Sequence, residues 1–276
     1  MTQHYPGYTT IADVQTYLGS TATAENTLLL DLIRATSQEI DALCNRAFYP
    51  LIDTRYYDTP SEYQLDLDAD LLELTTLSNP SGTTVDSGDY TLIPYNGFPK
   101  YAVRLLPEAG WFWGTNANGG YSRAVLALGV WGFHTDYDAA WNDIAATLAA
   151  AIATTSATSF TCTTTGKVRA GDLLKIDSEY IYASAVSTGA TDTVTCVRGV
   201  NGSTAATHLI STAIYRWYFP ELQALCTEAV VARHRLKNNP VGERVQIGEY
   251  SFSTPQDVTA YLDKRLKLLG FKAFVP

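Results

Sequence analysis

None of the short patterns that mark common chemistries occurs in these 276 residues: HExxH, GxSxG, GxGxxG and GxxxxGK[ST] are all missing. A helical zinc pair, a nucleophile elbow, a dinucleotide turn and a phosphate loop are therefore without motif support. Long apolar runs are missing too, since no stretch reaches the roughly 18 residues of a membrane span. The opening MTQHYPGYTT has no basic or apolar leader region, so no secretory signal is expected and the chain reads as a protein made and kept in solution. Cysteine is scarce, at four residues with no CxxC. Cys44 and Cys226 fall on apolar helical stripes, where a small buried hydrophobe is the ordinary reading. Cys162 and Cys196 lie in two Thr-rich runs that are able to meet in space, and reduced structural thiols are expected at all four. Charge is sparse at 17%, beside 46% hydrophobic residues and 18 tyrosines. Aromatic and β-branched side chains fit a pleated surface, so the balance leans towards β structure.

The formal net charge of -9 argues against a nucleic-acid glove or a binder of anionic membranes. Its distribution is uneven. Residues 1–110 hold 15 Asp/Glu against 5 Lys/Arg, and residues 218–276 hold 6 against 8. An acidic body with a mildly basic end is suited to head-to-tail pairing, although ordinary solubility charge explains the same counts.

Periodicity predicts helices at both ends. Thr10 can cap a first helix with Asp13 at its third position and Gly19 at its end, and Ile11, Val14, Tyr17 and Leu18 make its apolar face. A longer helix is predicted from about Ala24 to Phe48, with Leu29, Leu32, Ile33, Thr36, Ile40, Leu43, Cys44 and Ala47 as the stripe and Pro50 as the stop. At 1.5 Å per residue it would run ~36 Å and need a partner throughout. Residues 51–138 switch to period two, with RYYD (55–58), YQLDL (63–67), DYTLI (89–93), YAVRLL (101–106) and AVLALGVWGF (124–133) as strands between NPSG, YNGFP and NANGG turns. The Ala/Thr-rich stretch 139–159 suits a short helix and a linker. Residues 160–217 form a second, nearly neutral β block that reads as an insertion. Helices return with Pro220 at a first turn and a stripe of Leu222, Leu225, Cys226, Ala229, Val230 and Arg233 that ends before Asn238-Asn239-Pro240. A link containing GEYSFS leads to Thr254-Pro255-Gln256-Asp257, which caps a last helix closed by Gly270. The predicted class is α+β. Residues 1–50 and 218–276 form a helical bundle, interrupted by the 51–138 unit and the inserted β domain.

Several residues invite a site. Asp66, Asp68 and Asp70 alternate as an EF-hand loop begins, but Leu71 and Leu77 occupy the positions that need Gly and Glu, so a solvent-facing strand end is preferred to a metal site. Trp111-Phe112-Trp113 between glycines suggests a sugar platform, with a loop tucked onto a sheet as the plainer reading. His4, His134, His208 and His234 share no ligand spacing. Asn201-Gly202-Ser203 matches a glycosylation sequon and reads as a tight turn. Arg233, His234, Arg235 and Lys237 are able to touch phosphate, but a solvated helix face near a C-terminus suits them better. No catalytic, cofactor-binding or metal-ligating residue is expected, and no cofactor.

Taken in order, YTTIADVQTYLG, the long helix ending DALCNRAFYP, the strand RYYD, FPELQALCTEAVVARHRL, GEYSFS and LDKRLKLLGF resemble the head–tail connector (adaptor) proteins of tailed bacteriophages. The likeness is good over 1–50 and 218–270 and loose over 51–135. AGDLLKIDSEYIYASAV and VTCVRGVNGSTAATH look like a small β module that recurs in phage structural proteins. The resemblance implies a non-enzymatic virion neck protein, assembled in the host cytoplasm, whose helices form a bundle. It implies a ring of about a dozen copies beneath the portal protein, with a head-completion or tail component on the other side and DNA passing through without sequence-specific binding. An acidic lumen would let DNA slide, because phosphate contacts are what hold it. By the same resemblance the C-terminal segment Gly270, Phe271, Lys272, Ala273, Phe274, Val275 and Pro276 is the candidate portal-docking tail. The alternative is a tail or baseplate protein whose β insertion binds a carbohydrate or host surface.

Overall fold

A computed structural model describes residues 7–60, 63–238 and 244–272. The class is α+β, with four α-helices and three sheets among these residues. The chain divides into two compact units, Arg46–Ala140 and Met1–Asn45 together with Trp141–Pro276.

The Arg46–Ala140 unit is one antiparallel sheet. Its strands are β1 (Leu51–Tyr57), β2 (Gln64–Ser78), β3 (Thr84–Val85), β4 (Tyr90–Ile93), β5 (Lys100–Leu105) and β6 (Val125–Trp131), in the order β1-β6-β2-β5-β4 with β3 on β2. The 15-residue β2 does two jobs. Its start pairs with β5 at Gln64↔Arg104, and after register shifts its end pairs with β6 as far as Ser78↔Leu126. The shifts are irregularities of the kind that an inserted residue makes in a ladder. Gly129 marks the crossing, since a Cβ there would lie 2.3 Å from the Glu73 carbonyl oxygen. Leu65, Leu77, Val103, Leu105 and Val125 form the main core, joined by Leu71, Ala127 and Trp131. The Trp131 indole donates to the Asp53 carbonyl at 3.0 Å, and the Arg55 guanidinium covers the ring at 4.3 Å.

The second β block is a sheet closed on itself. Strands β7 (Trp141–Thr147), β8 (Ser159–Cys162), β9 (Leu173–Ile176), β10 (Glu179–Ser187), β11 (Asp192–Arg198) and β12 (Ala213–Trp217) run in the order β7-β12-β9-β10-β11-β8. The ends meet through the Leu148↔Cys162 bridge, with Ala149 N donating to Thr161 O at 2.8 Å and Thr163 N to Thr147 O at 2.9 Å. Closure removes the sticky edges of an open sheet, and Ile144, Phe160, Leu174, Ile176, Ile181, Val194 and Ile214 fill the interior.

This overturns the helix expected within 139–159, and the block begins at Trp141 rather than 160. Buried Ile144, Ala146 and Leu148 alternate with more open residues, which is strand periodicity. High alanine content hides the alternation, and pairing with β12 overrides local helix preference.

The four helices are α1 (Ile11–Leu18), α2 (Asn26–Cys44), α3 (Pro220–Asn238) and α4 (Pro255–Leu268). Thr10 caps α1 by accepting from Asp13 N, and Gly19 ends it at φ 66°. Of its expected apolar face Val14 is buried, whereas Tyr17 is exposed. Helix α2 stops earlier than Pro50 would require, because Asn45 adopts the left-handed conformation that ends helices. Leu29, Ile33, Thr36, Ser37, Ile40 and Cys44 make its buried stripe. Helix α3 lies against α1, α2 and α4. The GEYSFS link is a two-stranded ribbon of β13 (Val245–Ile247) and β14 (Tyr250–Phe252). Thr254 and Asp257 cap α4 reciprocally, with Pro255 at its first position. The expected stop at Asn239-Pro240 lies outside the described residues.

Candidate functional site

Between the helices lies a seam of polar side chains rather than an unbroken apolar core. Arg233 on α3 pairs with Glu39 of α2 and donates to Thr36 Oγ1 at 2.7 Å, while Thr259 of α4 donates to the same Glu39 at 2.6 Å. His234 Nε2 stands 2.8 Å from Glu25. Of the cationic end of α3, Arg233 and His234 are therefore spent inside the helical layer, whereas Lys237 is exposed and Arg235 meets Gln246 O at the surface, as a solvated face would have them. Thr9 and Thr227 share a 2.6 Å hydrogen bond, and Ser37 Oγ accepts from Tyr8 N at 3.0 Å. The Tyr8 hydroxyl donates to Asp41, whose carboxyl burial pushes up to about 7 against that bond. Groups brought together across nearly 200 residues lock the register of the chain's two ends, because a buried polar group left unpaired is costly.

The closed sheet carries a second constellation, centred on Glu179, which has no exposed surface. Arg198 grips it with two bonds, Nε at 2.7 Å and Nη2 at 2.6 Å. Gly199 N and Ala206 N donate to it at 2.9 and 3.0 Å, and His208 Nε2 lies 2.8 Å away. Burial alone would raise its pKa, but Arg198, Ala206 N and His208 outweigh that and hold it below the usual carboxylate value. His208 Nδ1 then reaches Asp177 at 2.7 Å. Ser203 Oγ accepts from Tyr180 N at 2.9 Å and donates to Val200 O at 2.8 Å, which fixes the turn at Asn201 (φ 51°) and Gly202 (φ 81°). With its oxygens saturated by donors, Glu179 is unsuited to proton transfer or metal ligation and is suited to pinning the 199–208 loop. The EYIY, RG, NGS and H elements of the sequence are one scaffold. Nearby, burial raises the Asp172 carboxyl to about 6 despite Arg216 at 3.7 Å.

In the Arg46–Ala140 unit the three alternating aspartates sit within β2 rather than at a strand end, and each has its own partner. Asp66 accepts from Gln64 Nε2 at 2.7 Å, Asp68 from Arg55 at 3.0 Å and the Tyr57 hydroxyl at 2.8 Å, and Asp70 pairs with Arg46 at 3.0 Å. No group of three metal-ligating side chains occurs among the described residues. The aromatic run is tied down. Trp111 Nε1 donates to Asp89 at 2.6 Å and Trp113 Nε1 to Tyr63 O at 3.1 Å, and both rings pack on the Leu65–Val103 core. Phe112 alone projects, 68% exposed, over a groove of about 500 Å³ beside Pro80 and Ser81. His134 is buried and accepts from Asp136 N at 3.0 Å. His4 lies outside the described residues.

The four cysteines are free and buried, and burial pushes Cys162 up to about 12, Cys196 to about 11 and Cys226 to about 12. Of the candidate tail, Gly270 turns the chain at φ 71°, Phe271 is buried with its ring 5.1 Å from Phe219, and Lys272 pairs with Asp263. Ala273, Phe274, Val275 and Pro276 lie outside the described residues. No helix among the described residues is long and apolar enough to cross a membrane. No protein-family model matches the chain, and a search of curated proteins finds no match.

Proposed function

We propose that this protein is a structural subunit of a tailed-phage neck, forming a homo-oligomeric ring between the portal and the next head-completion or tail component, with DNA passing through the lumen. It acts by shape and self-association, without a cofactor and without catalysis. The observation that carries the reading is the polar seam: Arg233–Glu39, Thr259–Glu39 and Thr9–Thr227 tie the first and last helices into one layer. The order of elements along the chain, helices at both ends with β structure between them, supports the reading; the bundle itself is what the resemblance implies. The charge distribution supports it as well, since Arg46–Ala140 holds 12 Asp/Glu against 5 Lys/Arg, a surface that repels phosphate and leaves DNA free to slide.

Gly270, Phe271 and Lys272 serve as the anchor of the C-terminal segment, and Ala273–Pro276 are the residues proposed to reach the portal. Electron microscopy of the purified chain tests the reading. Ring-shaped particles with a central opening are expected, and so is co-sedimentation with portal-bearing heads. Particles of monomer size at every concentration, with no binding to heads, would end it.

A further inference from the structure

We propose that the cleft lined by Tyr63, Gln64, Asp66, Arg104 and Pro107 is a binding site for a neutral oligosaccharide. The inference is independent of the neck reading, because it rests on one surface of the Arg46–Ala140 unit.

The site is built by strand register. Gln64 of β2 stands opposite Arg104 of β5, and Asp66 follows two residues on, so it shares the Gln64 face. The three planar side chains join in a row: Arg104 Nη2 donates to Gln64 Oε1 at 2.8 Å, and Gln64 Nε2 donates to Asp66 Oδ1 at 2.7 Å. The row fixes the side chains without exhausting them. Arg104 keeps further N–H donors and Asp66 keeps acceptor sites, which gives vicinal hydroxyls both kinds of partner. Tyr63 stands beside the row at 45% exposure. Its backbone is held from two sides, its carbonyl accepting from Leu105 N at 3.0 Å and Trp113 Nε1 at 3.1 Å. A half-exposed ring on a fixed backbone offers an apolar face that loses little freedom on stacking. Pro60, Leu105 and Pro107 complete the wall, and the cleft holds about 850 Å³, within the roughly 300–1,000 Å³ of small-ligand sites.

Charge selects the ligand class. Arg104 and Asp66 cancel within the cleft, and the surrounding unit carries 12 acidic against 5 basic residues. Phosphorylated or sulfated chains are repelled at that surface, whereas a neutral polyhydroxylated chain meets matched hydrogen bonds and an aromatic face. The proposed sugar contact thus lies away from Trp111 and Trp113, whose rings pack on the Leu65–Val103 core, at the neighbouring Tyr63.

Saturation-transfer NMR of the full chain with maltotriose, cellotriose and N,N′-diacetylchitobiose, backed by an array of neutral glycans, tests the site. At least one neutral probe should bind. Its dissociation constant should rise at least tenfold in Tyr63→Ala and in Arg104→Ala, and stay within twofold in Tyr63→Phe and in Leu209→Ala, a substitution at an exposed residue of the other unit. Arg104 is exposed, so that variant keeps its unfolding midpoint and decides the matter if Tyr63→Ala folds poorly. The proposal is overturned if no neutral glycan binds at millimolar concentration, if binding survives Arg104→Ala, or if a sulfated oligosaccharide binds more tightly than every neutral one.

Discussion

The substitution Asp41→Asn should make the protein more stable above pH 7 and flatten its response to pH. The Asp41 carboxyl lies beneath Tyr8 in the helical seam, and burial lifts it from 3.8 to about 7. A carboxyl raised on folding holds a proton that the unfolded chain has released. Between pH 3.8 and about 7 the native state therefore binds more protons, and stability falls as pH rises through that window. At 1.36 kcal/mol per pH unit, the displacement costs about 4 kcal/mol once the solution is above pH 7. The amide introduced by the substitution carries no charge to desolvate, and its carbonyl still accepts from the Tyr8 hydroxyl. Relaxation around the carboxylate will reduce the full figure, so a gain of roughly 2–4 kcal/mol at pH 8 and less than about 1 kcal/mol at pH 4 is expected. Urea unfolding followed by helical circular dichroism at pH 4, 6 and 8, with wild type and variant side by side, measures it. A variant that is less stable at pH 8, or that keeps the wild-type pH slope, would refute the assignment of this buried carboxyl.

Glu179→Gln should be among the most damaging single substitutions, since it leaves the Arg198 guanidinium buried without its carboxylate, a loss of roughly 3–5 kcal/mol; unfolding monitored at Trp141 and Trp217, which lie 5.2 Å apart, reads it. Relative to truncation after Lys272, truncation after Leu269 removes the Phe271 ring from its contact with Phe219 and should cost roughly 3–5 kcal/mol. Equal midpoints for the two truncations would contradict the placement of Phe271. A thiol reagent at pH 8 should label none of the four cysteines quickly in the native protein and all four in denaturant, because all four are buried and burial also keeps Cys162, Cys196 and Cys226 as thiols.

Local signals are readable wherever one short segment carries its own physics. Thr10, Asp13 and Gly19 bracket α1, and Thr254, Pro255 and Asp257 start α4, because caps are satisfied within a few residues. The α+β class follows from two periodicities in one chain. Strand β7 stays hidden because Ala145 and Ala146 look alike in sequence while one faces solvent and the other the core. Arg233 looks solvated in sequence because its partner Glu39 is 194 residues away, a pairing that no local pattern reports. Glu179 leaves a faint signal, an acid opening an otherwise apolar strand with Arg198-Gly199 ahead of it. The oligosaccharide cleft leaves less, since Arg104 and Gln64 become neighbours only through the β2/β5 register.

Native mass measurement of the purified chain, alone and mixed with portal protein, tests the central claim most directly. The account predicts a discrete multiple of the 30.1 kDa chain, in the range of a dozen copies, and a larger species when portal is added. A strictly monomeric mass under both conditions would contradict it.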